Sequence, residues 1–282
     1  MTHADLCFKK TCEEIIKFGV SSVGTNVRTR WKEDGAEANY FSITGVVNKY
    51  DVGKEFPMIT FRRNALKSSI DEILWIWQKK SNNVHDLKTH IWDQWADENG
   101  SIGKAYGYQL SKKYPFKTKD GIVEMDQVDY VLYMLKNEPS SRRIMTNIFF
   151  HPELKDMALE PCVYGTQWLV KDGKLDMVLS QRSQDMLVAN GWNVMQYAAL
   201  QYMFAQVNGL KPGILTHVIG DCHIYDRHIP IVKELIEKET PDCEPKLWIN
   251  PDVTNFYDFK TSDFKLTGYK YCEDIKDIPV AV

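Results

Sequence analysis

The chain has 282 residues, 44% of them hydrophobic, and its formal net charge is -3. Its length suits one large domain or two small ones, and the lack of a linker, repeat or low-complexity tract favours a single domain over residues 1–282. The slight negative charge argues against a surface that binds duplex nucleic acid, because neutralising a phosphate backbone requires a basic face. A small-molecule partner is therefore expected.

The six cysteines are spread along the chain without a CxxC pair, and the amino terminus lacks the apolar core of a signal peptide. Both features predict reduced thiols and a cytoplasmic location. The most apolar stretch, residues 192–207, is interrupted by one asparagine and three glutamines and is too short to cross a bilayer of about 30 Å. It is predicted to be a buried core helix rather than a membrane span.

In chain order, the spacing of apolar residues first predicts a helix over Ala65–Gln78, with Glu72 off its main apolar stripe. A second helix is expected over 128–135, behind Asp126 as a candidate N-cap. The other predicted elements are strands at 144–150, 163–170, 175–181 and 214–219, and helices at 192–207 and 229–238. Strands and helices mix without βαβ regularity, so the expected fold class is α+β.

Residues 172–173, Asp-Gly, lie between two predicted strands and form the two-residue turn that tolerates positive φ. Counting back along this hairpin sets Cys162 opposite Ser183, with Arg182 one step away, and a β-bulge would shift the pairing by one residue. Cross-strand neighbours lie about 5 Å apart at Cβ, so the Arg182 guanidinium would favour the nucleophilic thiolate of Cys162. The alternative is an inert buried cysteine, which is the more frequent case on spacing alone.

The arginines are few and clustered, which suggests anion recognition. Guanidinium groups match phosphate oxygens in a bidentate way, so several of them converging on one phosphate is one hypothesis, and separate surface salt bridges are the other. The chain has no GxxxxGK[ST] or GxGxxG motif, so side chains would hold a bound phosphate. The arginines are Arg28 and Arg30, Arg62-Arg63, Arg142-Arg143, Arg182 and Arg227.

Polar side chains crowd residues 220–228, directly behind a predicted strand. Hydrogen bonds from His223 and Tyr225 to a sugar or other substrate hydroxyl are the favoured interpretation. A zinc site is disfavoured because the cysteine and histidines here lack paired ligand spacing, and no metal is expected. Trp92 and Tyr106 lie in aromatic segments that suit a flat heterocycle or, equally, a core.

Several short segments follow one another in a specific order and spacing, although each alone is a weak signal. They are Phe56-Pro57, Asp71-Glu72-Ile73-Leu74-Trp75, Ile91-Trp92-Asp93-Gln94-Trp95, Ser141-Arg142-Arg143-Ile144, Pro161-Cys162, Gln181-Arg182-Ser183, Asn193, Gly220-Asp221-Cys222-His223-Ile224-Tyr225 and Pro279-Val280-Ala281-Val282. Together they resemble the thymidylate synthase family, from about Arg28 to the carboxyl terminus. The resemblance also favours a catalytic Cys162 over an inert one.

The resemblance implies an α+β fold with a mixed β-sheet flanked by helices, arranged as a homodimer. It implies reductive methylation of dUMP to dTMP, with 5,10-methylenetetrahydrofolate as the cosubstrate that supplies one carbon and hydride and leaves as dihydrofolate. Cys162 would add as a thiolate to carbon 6 of the pyrimidine, which makes carbon 5 nucleophilic and splits one hard step into easier ones. No metal, membrane or specific nucleic acid enters this chemistry.

The resemblance assigns residues to three roles. The implied catalytic residues are Cys162, Glu72, Arg182, Tyr106 and Asp185. The implied nucleotide-binding residues are Arg28, Gln181, Arg182 and Ser183, with Asn193 at the uracil edge, His223 and Tyr225 at the ribose hydroxyl, and Arg142 and Arg143 reaching in from the second subunit. The implied folate contacts are Trp92, Asp185, Arg62 and the tail ending at Val282, which would close over the site and exclude water.

Four places depart from the usual family pattern. Residues 29–35 replace a Thr/Gly alternation, so the phosphate loop after Arg28 is rebuilt. Val163 replaces the histidine often found after the nucleophile, Arg62 replaces a frequent lysine, and residues 189–192 replace a Gly-x-Pro-Phe segment. These changes make the base and folate geometry of this chain an open question.

Two alternatives follow from these departures. A folate-dependent hydroxymethylase acting on dUMP or dCMP would use the same thiolate but quench the intermediate with water. Trp92, which resembles the residue shielding that intermediate, favours methylation, and Asn193 in place of aspartate favours uracil over cytosine. A catalytically silent nucleotide-binding dimer is the other alternative, and the presence together of Cys162, Arg182, Glu72 and Asp185 argues against it.

Overall fold

The structure is a computed structural model that describes residues 1–119, 121–272, 274–275 and 277–282. Within these residues, the helices are α1 (His3–Phe18), α2 (Leu66–Trp77), α3 (Gly107–Ser111), α4 (Gln127–Asn137), α5 (Asn190–Val207) and α6 (Ile229–Glu237). The strands are β1 (Val20–Ser21), β2 (Tyr40–Asp51), β3 (Tyr114–Thr118), β4 (Gly121–Met125), β5 (Met145–Asn147), β6 (Val163–Lys171), β7 (Lys174–Asp185), β8 (Lys211–Tyr225), β9 (Lys246–Ile249) and β10 (Phe264–Thr267).

A six-stranded sheet in the order β1-β2-β8-β7-β6-β5 organises the chain. The β7–β8 pair is parallel and the other pairs are antiparallel, so the sheet is mixed. Two smaller two-stranded sheets, β3–β4 and β9–β10, lie outside it. The α+β fold class with a mixed sheet and helices is therefore confirmed.

Side chains alternate between the two faces of the central strands, and one face forms the core. On β7, Leu175, Met177 and Leu179 are fully buried, while the residues between them, Asp176 and Val178, are half-buried. Helix α5 lies on the buried face, where the Gln201 Nε2 donates to the Leu175 carbonyl at 2.7 Å. Strand periodicity thus directs every second residue of this part of β7 into the core.

Helix α5 is the buried core helix that the apolar stretch predicts. It is buried on nearly all sides, and the glutamines that interrupt it satisfy buried polar groups instead of facing water. Gln206, for example, donates to the carbonyls of Asn250 and Val253 at 2.8 Å each. Within the described residues no helix is both long enough and apolar enough to cross a membrane.

Most predicted elements are present with small shifts at their ends. The helix predicted over Ala65–Gln78 is α2, and Asp126 is the N-cap of α4, accepting hydrogen bonds from the backbone of Val128 and Asp129 at 3.0 Å. Strand β8 is much longer than the predicted 214–219 because it extends through the polar segment to Tyr225. Helix α1 and strand β2 were not among the predicted elements.

The register of the β6–β7 hairpin decides where the reactive groups lie. Its turn has positive φ at Asp172 (49°) and Gly173 (71°), as predicted. The pairing follows the predicted count until a bulge between Val163 and Gly165 shifts it by one residue. The Arg182 amide consequently donates to the Cys162 carbonyl at 2.8 Å. Cys162 therefore faces Arg182 rather than Ser183.

Candidate active site

Cys162 immediately precedes β6, with its side chain half-buried. Opposite it, the Arg182 guanidinium is fixed by two carbonyls: its Nε donates to Pro161 at 3.0 Å and its Nη2 to Glu160 at 2.8 Å. Both acceptors directly precede Cys162 in the chain. The bulged hairpin thus holds a fixed cation beside the thiol.

Two opposing effects act on the Cys162 thiol. Burial raises its pKa above the ordinary value, whereas the positive charges of Arg182 and Arg28 and a hydrogen bond involving Tyr106 lower it. Burial is the larger effect, so the sulfur is mainly protonated at neutral pH. The guanidinium favours the thiolate as predicted, but it offsets only part of the cost of burying a charge.

Tyr106 connects this cysteine to the aromatic wall of the site. The Cys162 backbone N–H donates to the Tyr106 hydroxyl at 3.2 Å. Tyr106 has φ 43° and ψ -102°, a strained conformation for a residue with a Cβ, and its ring packs edge-on against Trp92 with centroids 5.1 Å apart. Strain held by packing is frequent at functional sites.

Glu72 is a buried carboxylate enclosed by neutral donors. Its Oε1 accepts from the Trp92 indole at 2.6 Å, and its Oε2 accepts from the Trp192 indole at 2.5 Å and the Gln196 amide at 2.7 Å. Burial raises the pKa of Glu72, and these three hydrogen bonds oppose that rise. Trp192 and Gln196 were not among the predicted site residues, although their spacing of four places both on one face of α5.

A second buried network lies at the start of α5. The Gln181 Nε2 donates to the Asn193 Oδ1 at 3.3 Å, and the Gln181 Oε1 bonds the His217 Nε2 at 2.8 Å. Burial lowers the pKa of His217 to about 3, so its imidazole is neutral and supplies an N–H to the glutamine. This chain of bonds fixes the side-chain oxygen of Asn193 as a hydrogen-bond acceptor.

The polar end of β8 brings His223 and Tyr225 to the same edge of the sheet. The His223 Nδ1 is hydrogen-bonded to the Asp221 carboxylate at 2.9 Å, which fixes the imidazole ring. The centroids of the His223 and Tyr225 rings lie 5.0 Å apart. Because β7 and β8 are parallel, Ser183 pairs with Asp221 and Asp185 with His223. The predicted nucleotide-binding residues of both strands therefore lie side by side.

Asp185, the last residue of β7, and Arg62 both bond to the turn that follows this strand. The Asp185 Oδ1 accepts from the amides of Leu187 and Val188, at 2.9 and 3.1 Å, and the Arg62 Nη2 donates to the Leu187 carbonyl at 2.7 Å. Burial lowers the pKa of Arg62, and the nearby Asp185 charge opposes this. One short turn thus holds two of the four predicted folate contacts.

The rebuilt loop after Arg28 forms the dock for the carboxyl-terminal tail. Arg30 and Val282 exchange two backbone hydrogen bonds of 2.8 Å each, and the Lys32 amide donates to the Val280 carbonyl at 2.9 Å. Beneath them Trp31 is buried and packs edge-on against Tyr225. The tail predicted to close the site is therefore paired with the loop that departs from the usual family sequence.

Arg142 and Arg143 lie apart from these residues, in the exposed turn between α4 and β5. Their backbone carbonyls accept from Gln167 Nε2 at 2.9 Å and from the Tyr130 hydroxyl at 3.3 Å. Among the described residues, neither guanidinium makes a hydrogen bond or an ion pair. The prediction that they serve a second subunit is not tested by the single chain.

Comparisons with known proteins show the family of this chain. The family model described as thymidylate synthase matches residues 7–282. The chain belongs to the thymidylate synthase family. It is 49% identical to a thymidylate synthase of Bacillus mojavensis and 47% identical to thymidylate synthase 1 of Bacillus subtilis strain 168, each over 96% of both chains. It also matches the structure of thermostable thymidylate synthase A from Bacillus subtilis, with TM-score 0.92, 46% identity and 99% of each chain covered.

Membership in the thymidylate synthase family makes this chain an enzyme, a one-carbon methyltransferase. The family reaction is the methylation of dUMP to dTMP, and methylenetetrahydrofolate is its cosubstrate. Among the described residues, no group of three or more histidine, cysteine or acidic side chains is placed to hold a metal ion. The site is built from thiol, guanidinium, carboxylate, amide and aromatic groups.

Proposed function

We propose that this chain catalyses the reductive methylation of dUMP to dTMP through a covalent bond between Cys162 and carbon 6 of the pyrimidine. The observation that carries the proposal is the Cys162 thiol beside the fixed Arg182 guanidinium, with the charge of Arg28 also acting on it. A phosphate bound to these guanidiniums would place the attached nucleotide against the sulfur. The same group of side chains would thus bind the phosphate and direct the Cys162 sulfur to carbon 6 of the base.

The bonds made and broken follow from this placement. Thiolate addition to carbon 6 pushes electrons to carbon 5, which forms a bond to the methylene carbon of the folate. The hydrogen at carbon 5 leaves as a proton, and its electron pair expels the folate amine, so the transferred carbon becomes an exocyclic methylene on a base still bonded to Cys162. Hydride from the tetrahydrofolate ring then reduces this methylene to a methyl group, which leaves dihydrofolate, and the displaced electron pair expels the Cys162 thiolate. We assign Glu72 and Tyr106 to proton transfers on the base, with water between.

The nucleotide-binding residues support uracil as the base. With its oxygen accepting from Gln181, Asn193 presents its NH₂ group as a donor, which suits the carbonyl at position 4 of uracil and not the amino group of cytosine. His223, which pairs with Asp185, and Tyr225, two residues further along β8, are the proposed contacts to the ribose. Trp92, Arg62 and Asp185 form the proposed folate side, under the tail ending at Val282.

An absorbance assay tests the proposal directly. Mixing the enzyme with dUMP and methylenetetrahydrofolate should produce dihydrofolate in step with nucleotide consumption, and Cys162→Ala should abolish turnover while it retains nucleotide binding. Binding without turnover in the unmodified enzyme would instead identify a catalytically silent nucleotide-binding protein.

Mass spectrometry of the product nucleotide separates methylation from hydroxymethylation. A methyl product supports the proposal, and a hydroxymethyl product from dUMP or dCMP would replace it with the hydroxymethylase. Buried Trp92, bonded to Glu72, favours the methyl product because an aromatic wall excludes the water that would quench the intermediate.

We also propose a homodimer in which each subunit donates Arg142 and Arg143 to the other's phosphate site. Both residues are exposed, and among the described residues neither guanidinium has a hydrogen-bond or ion-pair partner. The sheet face opposite α5 carries apolar side chains such as the half-buried Val178 and the exposed Val47, at 53%, so a second copy would bury it.

Complementation between two inactive variants tests this exchange. Cys162→Ala and Arg142→Ala with Arg143→Ala should each be inactive alone. A mixture refolded together should recover about a quarter of the normal activity, because half of the dimers are hybrids with one intact site of two. No recovery from a mixture shown to contain hybrids would contradict arginine exchange.

A further inference from the structure

The carboxylate of Glu72 is held by direct bonds to protein donors on both of its oxygens. The Trp92 indole donates to Oε1, and the Trp192 indole and the Gln196 amide donate to Oε2, with donor–acceptor distances of 2.5 to 2.7 Å. A carboxylate has about four acceptor sites, so three of them are taken by fixed groups. Little freedom remains for the carboxylate to rotate or to recruit other partners.

This set of partners favours one protonation state. An indole N–H can only donate, whereas a protonated carboxyl needs an acceptor for its own O–H. The titratable groups that face Glu72 are the phenols of Tyr106 and Tyr197, and the Cys162 thiol lies next to both phenols. No ammonium or guanidinium is among the groups that act on it in the described part of the chain. Neutral donors therefore replace a cation as the stabilising partners of the anion.

Trp192 is the member of this set that departs from the family pattern. It is the third residue of α5 and is half-buried, and its indole donates to Oε2 of Glu72, whereas Trp92 donates to Oε1. A phenylalanine at this place could not donate a hydrogen bond. Trp192 therefore supplies a contact that the usual family segment lacks.

We propose that Trp192 is a positioning residue for the reaction, whose indole N–H holds Glu72 ionised and in fixed orientation beside the bound base. The inference rests on the proposed role of Glu72 in proton transfer. The hydrogen bonds oppose the effect of burial, and Trp192 is the largest of the three opposing contributions. Through Trp92 and Tyr106 the same contact is linked to the backbone of Cys162.

Trp192→Phe tests the proposal because it removes the N–H donor and keeps an aromatic ring at this position. Replacing Trp192 with benzothienylalanine removes the N–H and keeps the full ring shape, so it isolates the hydrogen bond if the phenylalanine variant folds poorly. The titration of Glu72 is followed by ¹³C NMR with labelled glutamate, assigned through Glu72→Gln, alongside the pH profile of kcat. Trp168→Phe is the matched control, since the Trp168 indole is buried and makes no hydrogen bond to any residue that the structure describes.

Loss of the Trp192 donor should move the Glu72 titration and the acid limb of kcat upward together by about one pH unit, a tenfold loss of activity below that limb. The Trp168→Phe control should leave both unchanged. An unchanged Glu72 titration in the benzothienylalanine protein, or an equal shift in the control, would overturn the inference. If the unmodified enzyme makes no dTMP, the proposed function fails instead, and the NMR titration still decides whether Trp192 holds the anion.

Discussion

The sulfur of Cys162 combines two properties that oppose each other. Burial protects a covalent intermediate from water but disfavours the thiolate, and the nearby guanidiniums recover part of the loss. The net pKa lies above the ordinary value, so only a small fraction of the free enzyme carries the nucleophilic form at neutral pH. Bound nucleotide would then meet a thiol that must lose its proton locally.

Alkylation of Cys162 by iodoacetamide should follow this balance. The rate should rise with pH through the range above the ordinary thiol pKa, and Arg182→Met should shift the profile further upward because it removes a stabilising cation. Alkylation is measured by mass spectrometry of the Cys162 peptide at a series of pH values. Lys174→Met, at the far end of the same strand, serves as the control, and a downward shift in the Arg182 variant would contradict the account.

Residues whose contacts are set by local structure can be predicted from the sequence, whereas residues that meet through long-range packing cannot. The closeness of Cys162 and Arg182 follows from a hairpin whose turn and strand lengths can be counted. The partners of Glu72 depend on how α2 packs against α5, a contact between residues about 120 positions apart that no local pattern encodes. In the sequence alone, Trp192 is distinguished only as part of a segment that departs from the usual family pattern.

The hairpin β6–β7 and helix α4 show the same limit at the level of elements. The turn at 172–173 fixed the pairing of most of the hairpin, but the bulge near Val163 could not be placed in advance and moved Cys162 onto Arg182. Asp126 can be predicted as the N-cap of α4 because it directly precedes the helical pattern of apolar residues. Helix α1 escaped prediction because its buried face includes Asp5 and Thr11, which weaken the apolar pattern.

Asp126 should stabilise the chain in two ways that can be separated. It caps α4, and it is paired with the ammonium of Lys80, which is also largely buried. Asp126→Ala should lower the free energy of unfolding by about 3 kcal/mol, because it removes the cap and leaves Lys80 without its anion. Asp126→Asn, which keeps a capping oxygen, should cost about half as much. Equal losses in urea unfolding would show that the cap contributes nothing.

The tail should contribute to turnover more than to nucleotide binding. Val282 is held by two backbone bonds to Arg30, so deleting it removes that pairing. The deletion should lower kcat by about tenfold or more, because an open site admits water, and it should leave dUMP affinity nearly unchanged. Val280→Ala keeps the backbone bonds and is the matched control. Equal kcat in the deletion and the control would exclude tail closure.

Across the whole molecule, the fold class and the family could be predicted from the sequence, whereas the packing of the sheet could not. The α+β class follows from the irregular alternation of helices and strands. The parallel pairing of β7 with β8 joins segments separated by α5, and this pairing aligns Ser183 and Asp185 with Asp221 and His223. Part of the site is thus set by topology rather than by any single motif.

A single domain over residues 1–282 remains a prediction with a direct test. Urea unfolding followed by tryptophan fluorescence and by far-ultraviolet circular dichroism should give coincident transitions, because one cooperative core unfolds as a unit. Eight tryptophans distributed along the chain make fluorescence sensitive to most of it. Two separated transitions at several protein concentrations would indicate more than one domain.

The covalent role of Cys162 is tested most directly by trapping the nucleotide on the enzyme. In dUMP the hydrogen at carbon 5 must leave as a proton. Fluorine in its place cannot leave as a cation, so the reaction should stop with enzyme, nucleotide and folate covalently joined. Mass spectrometry after proteolysis should then show nucleotide and folate on the peptide that contains Cys162, and none in Cys162→Ala. An adduct on Cys222 or Cys243, or no adduct while dTMP is still formed from dUMP, would contradict the account.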